Sequence, residues 1–270
     1  MPTLHPDRSS GGKLAANEWR RVYEHVVFYG LLAVFGVQSF IVSLIAACLH
    51  PLLPRRWGKP LGQLMIATGF RRFLFLMQAC GILRCDLTAL DGLRGERSLI
   101  IAANHPSLLD AVLIISRLPS VVCIMKAEIW NNWFLGGGAR LAGYIRNDSP
   151  RDMIRLSVAS LSAPQQHLLI FPEGTRTVGS ELTAFKNGLG LIARRAAVPV
   201  QTVFIETNTR FLGKGWPLFK KPDFPLVYRI TLGERRPAGE DVRTFVADLQ
   251  GYFRQHCRST GAATQEPRGD

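Results

Sequence analysis

From Val26 to Leu49 the chain runs VVFYGLLAVFGVQSFIVSLIAACL without one charged side chain. As a helix this run would be about 36 Å long, enough to cross a hydrocarbon core of about 30 Å. It fits a secretory signal poorly, because it starts late, runs long and is followed by Pro51 and Arg55-Arg56. A membrane helix and a buried core helix both satisfy the pattern. Arg20 and Arg21 precede the run and Arg55, Arg56 and Lys59 follow it, so the flanking charges do not orient it. The next apolar stretch, Leu61 to Leu83, carries Arg71 and Arg72 at its centre, a costly arrangement in mid-bilayer. It reads as an amphipathic helix in the headgroup layer, with Phe70, Phe73, Phe75 and Leu76 towards lipid or the rest of the protein. The two stretches predict an N-terminal membrane-docking helical arm over residues 1–83.

Past Leu83 short apolar runs alternate with helical ones. Strands are predicted at 98–104, 121–125, 144–145, 167–171, 198–206 and 226–233, and helices near 107–117, 131–142, 150–162 and 186–196. This alternation predicts an α/β domain, a largely parallel sheet flanked by helices, over residues 84–258. Continuous apolar strands such as HLLIF (167–171) fit a sheet covered on both faces. A last helix is expected at 240–257, and a loose tail at 259–270.

Charge adds a constraint on partners. Thirty-three Lys and Arg against 20 Asp and Glu give a formal net charge of +13. Such an excess suits nucleic acid, an anionic membrane surface or a phosphorylated substrate. Nucleic acid is disfavoured, because neither zinc-finger spacing nor an RNA-binding aromatic signature is present. The five cysteines include no CxxC pair, so reduced thiols facing a cytoplasm are expected in place of a disulfide framework or a metal site.

Two stretches carry candidate chemistry. In NHPSLLD (104–110), His105 precedes Pro106, which pushes it out of helical conformation and favours a helix start just after it. Inside one helix, residues five apart would point about 140° apart. From the corner, the His105 ring can fold back to Asp110. A carboxylate on one ring nitrogen fixes the tautomer and stabilises the imidazolium formed when the other nitrogen takes a proton. That is a general base with its orienting group, and a substrate hydroxyl would be the nucleophile. A capping histidine beside a helix-start aspartate also fits the pair. In FPEGTR (171–176), a buried strand ends at Pro172 and Glu173-Gly174 turns the chain. Gly174 permits close backbone approach to a ligand, and the forked Arg176 suits a phosphate. A tight loop with a surface arginine is the alternative.

NHPSLLD, AGYIRND (142–148), FPEGTR and VPVQTVF (198–204) together resemble the four sequence blocks of the glycerolipid acyltransferases, the lysophosphatidic acid acyltransferase (PlsC-type) family. IMKAEIWNNWFLGG (124–137) and FKNGLGLIARRAAVP (185–199) resemble the family's linking segments, and coverage runs from about Ser98 to Glu206. The resemblance implies transfer of an acyl group from an acyl carrier protein or coenzyme A thioester to a lysophospholipid hydroxyl, at the cytoplasmic face of the inner membrane. His105 would be the base and Asp110 its orienting group. Glu173, Gly174, Thr175 and Arg176 would hold the acceptor, with further contacts from Asn104, Ser107, Lys126 and Arg146. Backbone amides near the helix start would steady the oxyanion. No cofactor or metal is implied beyond the thioester co-substrate.

One departure stands out. The second block usually carries an arginine six residues after its glycine, and here that position is Ser149, flanked by Arg146 and Arg151. An acceptor without phosphate, such as an aminoacyl lipid or an aryl-polyene-type product, is the alternative this opens. Retention of both His105 and Asp110 weighs against an inactive lipid-binding protein, and the lack of a GxSxG elbow weighs against a serine hydrolase.

Overall fold

The structure, a computed structural model, describes residues 9–177 and 182–263. Two long helices, α1 (Ser9–Leu49) and α2 (Arg55–Ala79), precede a seven-stranded sheet. The strands are β1 (Leu83–Asp86), β2 (Ile100–Ala103), β3 (Val121–Met125), β4 (Ile145–Arg146), β5 (His167–Ile170), β6 (Val200–Thr207) and β7 (Leu226–Arg236). They lie in the order β1-β7-β6-β2-β5-β3-β4, and every neighbouring pair is parallel except β6 and β7. The helices that follow are α3 (Leu109–Arg117), α4 (Ala127–Trp130), α5 (Gly136–Leu141), α6 (Pro150–Leu161), α7 (Gly188–Ala196) and α8 (Val242–Ala263). The chain is therefore an α/β fold with a largely parallel sheet and flanking helices.

Each strand's residue pattern matches its place. β2 and β5 are fully buried along their length, as central strands covered on both faces should be. β7 alternates buried Leu226, Tyr228 and Ile230 with outward Val227 and Arg229, the period-two pattern of a half-exposed antiparallel strand. β1, Leu83–Asp86, is an element the hydrophobic pattern does not announce, because its four residues include Arg84 and Asp86. Its partner β7 supplies the apolar neighbours, Leu226 beside Leu83 and Tyr228 beside Cys85.

Three features add to the expected arm and tail. Arg71 and Arg72 of the amphipathic stretch are exposed, yet each is engaged with a neighbouring helix. Arg71 donates through Nε and Nη2 to the Ser116 carbonyl at the end of α3, where helix C-terminal carbonyls lack partners and attract cations. Arg72 donates to Gln38 Oε1 at 2.7 Å, tying α2 to α1. The arm also packs into the rest of the protein: Phe28 and Leu31 of α1 and Phe73, Leu74 and Met77 of α2 belong to the same apolar core as the sheet. Finally, α8 continues to Ala263, through the start of the expected loose tail, and residues 264–270 lie outside the described ones.

Candidate active site

β2 and β5 are paired in parallel, so their C-terminal ends lie side by side. Two residues beyond β2 stands His105, and three beyond β5 stands Glu173, which brings the two candidate motifs to one end of the sheet. Ligand sites of open α/β sheets lie at such strand ends. The His105 ring folds back onto the start of α3, and Nδ1 meets Asp110 Oδ2 at 2.8 Å. The same oxygen accepts the Ser107 amide at 2.7 Å. Asp110 is completely buried, and its Oδ1 has no hydrogen-bond partner among the described residues. Burial pushes its carboxyl up, against the opposing pull of His105, the Ser107 amide and the Arg176 charge. A carboxylate so placed is a stronger acceptor for Nδ1–H. Phe171 stacks flat on the imidazole, with centroids 3.8 Å apart and planes within 15°. Nδ1 is thereby committed to Asp110, and Nε2 is left for the cavity that His105 lines.

That cavity, about 1670 Å³, runs between α1, α2 and the strand ends. Its far walls are apolar, with Phe28, Leu31 and Phe35 of α1 and Phe70, Phe73 and Met77 of α2. The lining also carries cations: Lys126, Arg176, Lys186, Lys214 and Arg243 contribute, and no carboxylate does among the described residues.

The expected site residues separate into two groups. Gly174, Thr175, Arg176 and Lys126 line the cavity with His105. Asn104, Ser107 and Glu173 do not, and their polar atoms are spent on the protein itself. Asn104 bonds the Ile205 amide at 2.7 Å and its carbonyl at 2.9 Å, pinning the end of β2 to β6. Ser107 Oγ donates to the Phe211 carbonyl at 2.9 Å and accepts the Leu109 amide at 3.1 Å. Glu173 accepts Thr177 Oγ1 through one oxygen, and the Thr183 amide and hydroxyl through the other. Thr177 Oγ1 in turn accepts the His105 amide at 3.3 Å, and the Thr177 amide donates to the His105 carbonyl at 2.8 Å. In this structure Glu173 is thus a brace between the two motifs.

Two more expectations change. Arg146 lies outside the cavity lining, exposed and paired with Asp148, while its neighbour Asn147 lines the cavity. Ser149, at the position of the family's usual arginine, caps α6 by accepting the Asp152 amide at 3.3 Å. The amides at the start of α3 are also taken, Ser107 by Asp110, Leu108 by the Leu212 carbonyl at 3.2 Å and Leu109 by Ser107 Oγ. They are not available to an oxyanion. Sequence reasoning passed over Phe171 and Lys186. Phe171 directly precedes PEGTR and was readable as strand core. Lys186 is ten residues beyond Arg176, inside the segment FKNGLGLIARRAAVP, but no local pattern aims its side chain at the turn.

A family profile described as Acyltransferase matches residues 84–206, and the residues just assembled from His105 to Arg176 fall inside it. Residues 84–206 form an acyltransferase domain, and the chain is similar to the glycerolipid acyltransferases. The human 1-acyl-sn-glycerol-3-phosphate acyltransferase beta is 26% identical over 204 residues, 70% of either chain. The 1-acyl-sn-glycerol-3-phosphate acyltransferase of Pseudomonas aeruginosa is 22% identical over 83% of this chain and 84% of its own. Of the corresponding Saccharomyces cerevisiae enzyme, 27% identical over 135 residues, the chain spans under half, 44%. The crystal structure of PlsC from Thermotoga maritima superposes with a TM-score of 0.68 over 91% of this acyltransferase and 98% of that chain, at 18% identity, which establishes a shared fold.

Proposed function

We propose that this acyltransferase moves a fatty acyl group from an acyl carrier protein or coenzyme A thioester to the free hydroxyl of 1-acylglycerol 3-phosphate. The observation that carries the reading is the His105–Asp110 contact of 2.8 Å, opening on a cavity with apolar far walls and cations in its lining. Nε2 of His105 takes the acceptor's hydroxyl proton while Asp110 holds Nδ1–H. The freed oxygen attacks the thioester carbonyl, the carbon–sulfur bond breaks, and the departing thiolate receives the proton from the imidazolium. No acyl-enzyme forms. Acyl chains would lie between α1 and α2, and the acceptor's phosphate beside Arg176. The Arg176 guanidinium is held at Nη1 by the Leu212 and Gly213 carbonyls, both at 2.8 Å, which fixes its charge at the cavity.

The same reading places the protein on the surface of a membrane, the cytoplasmic face of the inner membrane in a bacterial cell. The helix over Asn17–Leu49 is long and apolar enough to cross a bilayer, and only 22% of its most apolar window is buried. It is nevertheless tied to the rest of the protein from Tyr23, whose hydroxyl donates to the Cys80 carbonyl, to Ser43, whose hydroxyl accepts the Gly137 amide. Those 20 steps cover about 30 Å, a full hydrocarbon core, so a crossing helix would drag the sheet into the lipid. A helix lying along the surface satisfies both facts.

Purified protein assayed with each thioester donor and a panel of acceptors, read by mass spectrometry, tests the reading. Product from 1-acylglycerol 3-phosphate is expected, and His105→Ala should lower its rate on the order of 100- to 10,000-fold without changing the melting temperature. Acylation confined to phosphate-free acceptors would replace it with the other acceptor class.

A further inference from the structure

Lys186 stands over the Glu173-Gly174 turn. Gly174 has φ of +67°, and a methyl group in place of its α-hydrogen would come within 2.8 Å of both Cε and Nζ of Lys186. The lysine is anchored at its base by its own amide, which donates to the Pro172 carbonyl at 3.0 Å. From there its side chain crosses the glycine, and both residues line the cavity that holds His105 and Arg176. Neither a hydrogen bond nor an ion pair engages its ammonium among the described residues, and the nearest acid of the turn, Glu173, is turned inward onto Thr177 and Thr183. Arg176 is partly committed, since Nη1 serves two backbone carbonyls. Among the described residues, the Glu173-Gly174 turn therefore brings together one tethered guanidinium and one ammonium without a partner.

We infer that Lys186 is the second phosphate-binding cation of the site and sets its preference for a phosphate monoester headgroup over a phosphodiester. This rests on the proposed function and deepens it. A monoester carries a charge of about −1.5 to −2 at neutral pH, which one arginine does not balance, whereas a diester carries a single charge. A point-like ammonium reaching over a side-chain-free turn can meet oxygens the guanidinium does not reach. The absence of a side chain at residue 174 and the cation at 186 form one device: without Gly174, Lys186 loses its path.

The test is steady-state kinetics of the full-length protein in mixed micelles with 1-acylglycerol 3-phosphate. Lys186→Met should raise the acceptor KM on the order of ten- to a hundred-fold, the loss of one charge-assisted hydrogen bond, with kcat and donor KM little changed. Lys186→Arg should restore most of the affinity, and the selectivity over lysophosphatidylcholine should shrink in Lys186→Met. An unchanged acceptor KM would overturn the inference. So would a rise in donor KM instead, which would place Lys186 on the phosphates of the thioester, or an equal loss with monoacylglycerol, which has no phosphate. A second readout does not need turnover: amine labelling of Lys186, quantified by peptide mass spectrometry, should be suppressed by 1-acylglycerol 3-phosphate and not by monoacylglycerol. If the wild type fails to acylate 1-acylglycerol 3-phosphate, the proposed function falls. Labelling then decides the inference alone, protection upholding it and equal labelling ending it.

Discussion

Asp110 shows how a single residue can be costly to the fold and necessary to the site. Its carboxyl has no solvent contact and one oxygen without a partner, so burial raises its proton affinity. A group whose folded-state pKa is raised contributes stability below its unfolded value, about 3.9, and that contribution is lost as pH rises through the folded value. At neutral pH the ionised carboxyl therefore works against folding. Asp110→Asn removes that charge and still accepts the Ser107 amide through its amide oxygen. The same oxygen still accepts His105 Nδ1–H, but a neutral amide does not stabilise the imidazolium that forms as Nε2 takes a proton. The expected outcome is a fall in kcat of about 10,000-fold with a melting temperature at neutral pH equal to or above that of the wild type. Loss of stability alongside activity would show that the carboxylate is a structural keystone instead. His105 and Asp110 were legible in the chain because Pro106 fixes the corner between them. The bracing role of Glu173 was not legible, because its partners, Thr177 and Thr183, come from the loop beyond its motif.

At the scale of elements, α2 is wedged into the protein through a glycine. A methyl group on Gly62 would lie 2.5 Å from the Ala142 amide nitrogen and 2.7 Å from the Leu141 carbonyl carbon, both backbone atoms that cannot rotate aside. Nearby, Gln63 donates to the Ala142 carbonyl at 3.3 Å. α2 and the end of α5 thus touch backbone to backbone, and α2 forms one wall of the cavity. Gly62→Ala should cost about 1–3 kcal/mol, the penalty of overpacking, measured by denaturant unfolding in detergent. It should also reduce turnover, although the His105 region is untouched. An unchanged midpoint would mean that α2 docks loosely. The hydrophobic pattern correctly marked a second helix after the first, but not this contact, since a glycine inside an apolar stretch carries no sign of the backbone that will pass it.

For the whole molecule, the decisive feature is the stripe of apolar side chains that α1 leaves uncovered. Val22, Val26, Val37, Ile41 and Leu44 recur at helical spacing and are exposed, while the opposite face contacts α2, α5 and the cavity. Exposed Trp133, beside which Phe40 of α1 packs, and Phe219, whose carbonyl accepts the Tyr29 hydroxyl, extend apolar surface from the same helix. Replacing Val37 and Ile41 together by lysine should abolish co-sedimentation with lipid vesicles. Neither side chain lines the cavity, so turnover of detergent-dispersed substrates should persist. Equal sedimentation of variant and wild type would exclude α1 as the docking surface.

The sequence by itself determined the elements and the chemistry carried within single motifs. Periodicity separated strand from helix, and Pro106 and Gly174 set the two corners, because these are local steric and solvation effects that neighbouring residues decide. Only the tertiary structure decided that β2 pairs with β5, and hence that the two motifs share one cavity. It alone turned Asn104, Ser107 and Glu173 inward, and it alone brought Lys186 over a glycine twelve residues before it. Strand order and the aim of a side chain depend on contacts between distant segments, whose energies no local pattern records.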